Sequence, residues 1–166
     1  ISHHFIDAVH TSGEFKLVAV YSRKIETAEK FASHYQDVTL FDQLGDFFKH
    51  PFDVVYIASP NSLHFSQAKI ALVAGRHVIL EKPAVTQPEE WQDLLQTAQK
   101  NQRFIFEAAR NYHENAFELV KDYLADKQVL GADFNYAKYS SKMPELLAGN
   151  TPNVFSDRFA GGALMD

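Results

Sequence analysis

His77-Val78-Ile79-Leu80-Glu81-Lys82-Pro83 is a short apolar run that ends in an acid, an amine and a proline. It reads as a buried strand closing at Glu81. The turn after it delivers a lysine to the carboxyl end of a sheet, the edge at which open α/β folds keep their ligands. An ammonium at such a place is costly unless something anionic or reactive meets it. Lys82 is therefore the first candidate for chemistry.

Working outward, strands and helices alternate. Upstream, Leu63 to Ala74 has the pattern of a helix closed by Gly75, and Asp53-Val54-Val55-Tyr56-Ile57-Ala58 is a continuous apolar run, as expected of a strand covered on both faces. Further back lie a short helix over Leu44–Phe48 stopped by Pro51, a strand over Val38–Phe41, a helix with Ile25, Ala28, Ala32 and Tyr35 on one face, and a strand over Leu17–Tyr21. Ile1, Phe5, Ala8 and Val9 mark a helix under way at the first residue and ended by Gly13. Downstream, Thr86-Gln87-Pro88-Glu89 has the form of a capping box ahead of an apolar stripe at Trp91, Leu94, Leu95 and Ala98. Arg103 to Ala108 is another buried strand. This order predicts an α/β protein with a doubly wound parallel sheet.

After Ala109 the character changes. Phe117, Val120 and Leu124 outline a helix, Asp133–Tyr139 alternates like a strand, and the polar stretch Ser140–Asn153 reads as a loop. The expected division is a nucleotide-binding domain over residues 1–110 and, over residues 111–166, the beginning of an α+β substrate domain. In the strand order 3-2-1-4-5-6 the first strand lies mid-sheet and is followed by a glycine-rich turn. This chain opens with the helix that should follow that strand, and G-x-G-x-x-G does not occur in it. The strands on either side are then expected to share no common neighbour, and further residues of the natural protein are expected before Ile1 and after Asp166.

Composition narrows the function classes. Of 166 residues, 21 are acidic and 16 are Lys or Arg, giving a net charge of −5 with no basic concentration. That argues against a nucleic-acid footprint. No apolar segment approaches membrane-spanning length, and the expected compartment is the cytoplasm. Without cysteine there is neither a disulfide scaffold nor thiolate chemistry. The eight histidines show no ligand spacing, so no metal is expected.

Val54-Val55-Tyr56-Ile57-Ala58-Ser59-Pro60-Asn61-Ser62-Leu63-His64, then Ala71-Leu72-Val73-Ala74-Gly75-Arg76-His77-Val78, then Glu81-Lys82-Pro83, resemble the Gfo/Idh/MocA oxidoreductase family. Gly161-Gly162-Ala163-Leu164-Met165-Asp166 resembles its glycine-rich approach to a downstream catalytic segment. The resemblance implies a Rossmann-type domain, a nicotinamide cofactor, a sugar or polyol as small-molecule substrate, and a homo-oligomer formed through downstream sheets.

Within that resemblance Lys82 bonds the reacting hydroxyl or carbonyl, and desolvation beside a cationic ring would lower its pKa toward the range useful for proton transfer. Asp166 holds substrate or orients a residue beyond it. Glu81 falls on the ribose side of the cofactor, and a cis bond before Pro83 would help to aim Lys82. Ile1 heads the helix that should follow the phosphate turn and is expected at the cofactor.

Ser59-Pro60-Asn61 sits just past a buried strand, where Asn61 serves as a ligand to ribose or phosphate, as a helix cap, or as both. His64 has two equal readings, facing the cofactor or packing in the core. Arg110 has two as well, contact with cofactor or substrate, or an interdomain salt bridge. Ser22-Arg23 follows a strand end that carries no acid. A hydroxyl and a guanidinium there suit a 2′-phosphate, which favours NADP over NAD. The reading that results is an NAD(P)-dependent oxidoreductase acting on CH–OH groups. A non-catalytic dinucleotide-binding sensor of the same build is the alternative.

Overall fold

The computed structural model describes residues 2–135 and 137–162. Ile1 and Asp166, both expected as site residues, lie outside them. The helices and strands run α1 (Ser2–Ser12), β1 (Ala19–Tyr21), α2 (Ile25–Ala32), β2 (Thr39–Phe41), α3 (Leu44–Lys49), β3 (Val54–Ile57), α4 (His64–Val73), β4 (His77–Leu80), α5 (Pro88–Lys100), β5 (Ile105–Glu107), α6 (Asn115–Leu124) and α7 (Met143–Leu147). The expected α/β alternation is present through β5, and every strand pair is parallel.

The strands form two sheets, β1-β2 and β3-β4-β5. Among the described residues β1 and β3 share no neighbour, as the strand-order argument anticipates. Between them runs a cleft of about 1030 Å³ whose walls include Phe5, Val18, Val20, Val54 and Tyr56. Helix α3 ties the two halves together. It packs on β1 and β2, while its Phe47 and Phe48 join the core that contains Val55, Leu72 and Val78. Arg76, just before β4, completes the tie. Its guanidinium donates to the carbonyl oxygens of Phe52 (2.5 Å), His50 (3.0 Å) and Phe48 (3.3 Å) and lies over the Phe52 ring. Carbonyls left over at the end of a helix are thereby satisfied by a cation, which also suits the helix dipole.

Strands β3 and β4 are buried on one face only, contrary to the two-sided burial expected of Asp53–Ala58, and β5, expected as a buried strand over Arg103–Ala108, has one half-buried residue, Ile105, followed by two exposed ones. Val55, Ile57, Val78 and Leu80 are buried against Ala68, Ala71 and Leu72 of α4 and Leu94 and Ala98 of α5. On the other face Tyr56 stacks on Phe5 of α1, at 3.9 Å between ring centres. Farther along that face Phe104 and Phe106 remain exposed. The apolar runs are thus continuous because both faces are apolar, while helices α4 and α5 cover one of them.

Three further expectations are corrected. The capping box at α5 lies one residue later than the sequence pattern suggests. Gln87 is the cap, and the Glu90 carboxylate accepts from the backbone N–H groups of Thr86 and Gln87 and from the Thr86 hydroxyl. Pro88 takes the first helical position, where its missing N–H costs nothing. The stretch expected as a loop contains α7, with Pro144 in its first turn, again the position that proline tolerates. The strand expected over Asp133–Tyr139 is not formed among the described residues: they pair with no other strand and are all exposed.

Leu72 and Leu80 are fully buried, whereas Leu130 is 91% exposed. Replacing Leu72 by Ala is expected to cost about 2–5 kcal/mol in a urea melt. Leu130→Ala should stay within about 0.5 kcal/mol. Equal effects of the two substitutions would contradict this assignment of the core.

Candidate functional site

The register sets Ile57 beside Leu80 and Leu80 beside Glu107. The turns after β3, β4 and β5 therefore leave the sheet at one edge. Strand β4 ends at Leu80 rather than at Glu81, although the Glu81 N–H still joins the ladder through the Ile57 carbonyl at 2.9 Å. The first two turns carry Ser59-Pro60-Asn61 and Glu81-Lys82-Pro83, so the structure does bring these two groups together.

His64 is what joins them. It is 1% exposed, and its two ring nitrogens lie 2.9 Å from the Pro83 carbonyl oxygen and 2.9 Å from that of Ser59. Both partners are acceptors, so the neutral ring donates to one of them and the imidazolium to both. Of the two readings of this histidine, contact with a cofactor gives way to burial. It stands on the first turn of α4 facing inward, and it acts on the site through the two turns it spans.

Glu81 is engaged from its own side of the sheet. The Tyr56 hydroxyl donates to its carboxylate, and the Lys82 backbone N–H approaches the other oxygen at 3.3 Å. Burial, then this hydrogen bond, push the Tyr56 hydroxyl far above the usual phenol range, so it remains a donor at any physiological pH. Lys82 itself is exposed at the open edge. The Lys82–Pro83 bond is cis. Glu107, at the end of β5, was not anticipated. Its carboxylate accepts the Ala84 N–H at 2.8 Å and so braces the same turn from the neighbouring strand. An acid closing a buried strand next to a lysine-bearing turn was the available clue.

The Ser59 hydroxyl is buried with no hydrogen-bond partner among the described residues, at the point where β3 opens into its turn. Asn61 opens a single helical turn ahead of α4 rather than capping α4 by its side chain. Its amide donates instead to the Ala160 carbonyl at 2.9 Å, a residue 99 positions away. Ser22 and Arg23 leave the carboxyl edge of the smaller sheet, where the Ser22 N–H extends the ladder to the Phe41 carbonyl. The Arg23 guanidinium lies over the ring of Phe159 at 5.8 Å. Arg110 pairs locally with Glu114 at 3.1 Å and is exposed. The described residues contain no helix long and apolar enough to cross a membrane.

A parallel α/β sheet with its polar turns gathered on one carboxyl edge defines a nucleotide-binding class of protein. Residues 1–109 match the oxidoreductase family with an NAD-binding Rossmann fold, and the chain belongs to that family, Gfo/Idh/MocA. Along its whole length it is 39% identical to an uncharacterized oxidoreductase, YgjR, of Escherichia coli and 33% identical to the NADP(+)-dependent scyllo-inositol 2-dehydrogenase IolU of Bacillus subtilis, covering 51% of each. The chain thus spans about half the length of these curated relatives. Among solved structures, the WlbA dehydrogenase of Bordetella pertussis in complex with NADH and UDP-GlcNAcA superposes with a TM-score of 0.70, at 26% identity, over 75% of this chain and 39% of that one.

Because His64 lies within hydrogen-bond distance of two carbonyls, His64→Leu leaves at least one of these oxygens without its donor, at about 1–3 kcal/mol. A lower denaturation midpoint and faster proteolytic cleavage in the two turns are expected. His64→Gln, which keeps amide N–H donors on a differently shaped side chain, should fall between the variant and the wild type. A His64→Leu protein as stable as the wild type would refute the clamp.

Proposed function

We propose that the protein is an NAD(P)-dependent oxidoreductase acting on a CH–OH group of a sugar or polyol, with NADP the preferred cofactor. The observation that carries this reading is the lysine-bearing turn held beside Ser59-Pro60-Asn61 by a buried histidine. Ser59 fits the cofactor, since its buried hydroxyl lacks a partner among the described residues at the edge where a dinucleotide crosses. Asn61, Arg23 and Ser22 would hold ribose and phosphate oxygens, and Glu81 would take a ribose hydroxyl. When bound, the nicotinamide supplies the acceptor or donor of a hydride. The amine of Lys82 holds or moves the proton at the reacting oxygen.

The relatives support the substrate class, one being a scyllo-inositol 2-dehydrogenase. Domain division near Arg110 is part of the same reading. In its support, every described residue from Arg110 to Phe134 is exposed, including the apolar stripe of α6. A homo-oligomer built through the second domain belongs to it as well, checked by light scattering of the intact protein.

Consumption of NADPH or reduction of NADP should be detected with some member of a panel of aldoses, ketoses and inositols. Lys82→Ala should lower kcat/KM by about 100-fold or more while NADP binding changes far less. Tight NADP binding with no turnover across the panel would favour the sensor over the enzyme. Unchanged turnover in Lys82→Ala would remove the lysine from the chemistry.

A further inference from the structure

Arg158 and Phe159 belong to no motif read from the sequence, yet the fold brings them to the carboxyl edge beside Arg23. Residues 153–162 form a loop closed on itself. Its backbone bonds run from Phe159 N–H and Gly161 N–H to the Ser156 carbonyl, both at 3.0 Å, and from Gly162 N–H to that of Val154 at 2.8 Å. A Cβ on Gly161 would stand 2.6 Å from the Val154 carbonyl oxygen, so only glycine lets the two sides of this loop meet. Asn61 pins the loop to the turn after β3 through the Ala160 carbonyl.

In that position the Phe159 ring serves two guanidiniums, Arg23 at 5.8 Å and Arg158 at 5.4 Å from its centre. Both distances are within the range of a cation–π contact. Both arginines are exposed, and neither forms an ion pair among the described residues. Asp157, the carboxylate adjacent in sequence, takes neither of them. The two guanidiniums add positive potential at this edge, which favours an anion there. Forked N–H donors match phosphate oxygens in both charge and geometry.

We propose that Arg158 is the second guanidinium of a 2′-phosphate site, acting with Arg23 across Phe159, and that it sets the preference for NADP over NAD. The inference rests on the dinucleotide reading of the carboxyl edge and names a specificity residue for it. The loop supplies from the far end of the chain what the strand end after β1 supplies with one arginine alone.

The test is binding, independent of turnover. Dissociation constants for NADP, NAD and 2′,5′-ADP are measured by calorimetry on wild type, Arg158→Ala, Arg158→Lys and Arg23→Ala. Arg158→Ala is expected to weaken NADP and 2′,5′-ADP by about tenfold or more, the loss of a charge-assisted hydrogen bond, and to leave NAD within about twofold. Arg158→Lys should recover part of the loss, because it keeps the charge without the fork. Equal weakening of NADP and NAD would assign Arg158 to the pyrophosphate and overturn the proposal, and so would no change in either. A wild type that prefers NAD would instead sink the NADP reading itself, whatever Arg158 does.

Discussion

The geometry of the carboxyl edge depends on one buried imidazole between two backbone carbonyls. His64 reaches Ser59 on one side and Pro83 on the other. Both oxygens lie in turns, where no sheet ladder or helix would satisfy them, and a carbonyl left unpaired in such a place is expensive. The histidine sets a ring nitrogen within hydrogen-bond distance of each. Since the first turn carries Ser59 and Asn61 and the second carries Glu81 and Lys82, satisfying the backbone and assembling the site are the same event. Glu107 and Tyr56 add two braces, from β5 and β3, to the turn that holds Lys82.

Around that clamp the molecule is built in two halves. The three-stranded sheet has its core on the α4–α5 face, and the two-stranded sheet is attached through α3 and the Arg76 guanidinium rather than through strand pairing. The cleft between β1 and β3 is walled by apolar and aromatic side chains. Polar function is confined to the rim, where Arg23 from the smaller sheet and Asn61 from the larger one both meet the loop over residues 153–162. Each half thus contributes one end of a single polar edge.

Much of this was legible in the residues. Alternating apolar runs and amphipathic stripes located five strands and the first six helices, because period 2 and period 3.6 are local properties. The same reading failed where local chemistry permits two outcomes. The stretch Ser140–Asn153 reads as a loop, yet it holds a helix with Pro144 in its first turn. The alternation at Asp133–Tyr139 produced no paired strand, since a strand needs a partner edge as well as a pattern. The apolar run of β3 said that both faces could be covered, not that both were.

From composition and order alone come the α/β class, the lysine at a strand end and the turn chemistry around it, for those depend on a residue and its near neighbours. Which partner each side chain takes depended on folding. His64 became a clamp rather than a ligand, Glu81 paired with Tyr56 across 25 positions, and Asn61 reached Ala160 across 99. Such pairs are brought together by the packing of distant elements, and no periodicity in the chain records them. Arg158 is the sharpest case: an exposed arginine in a polar loop acquires a partner ring and a second guanidinium only when the loop closes on the sheet edge.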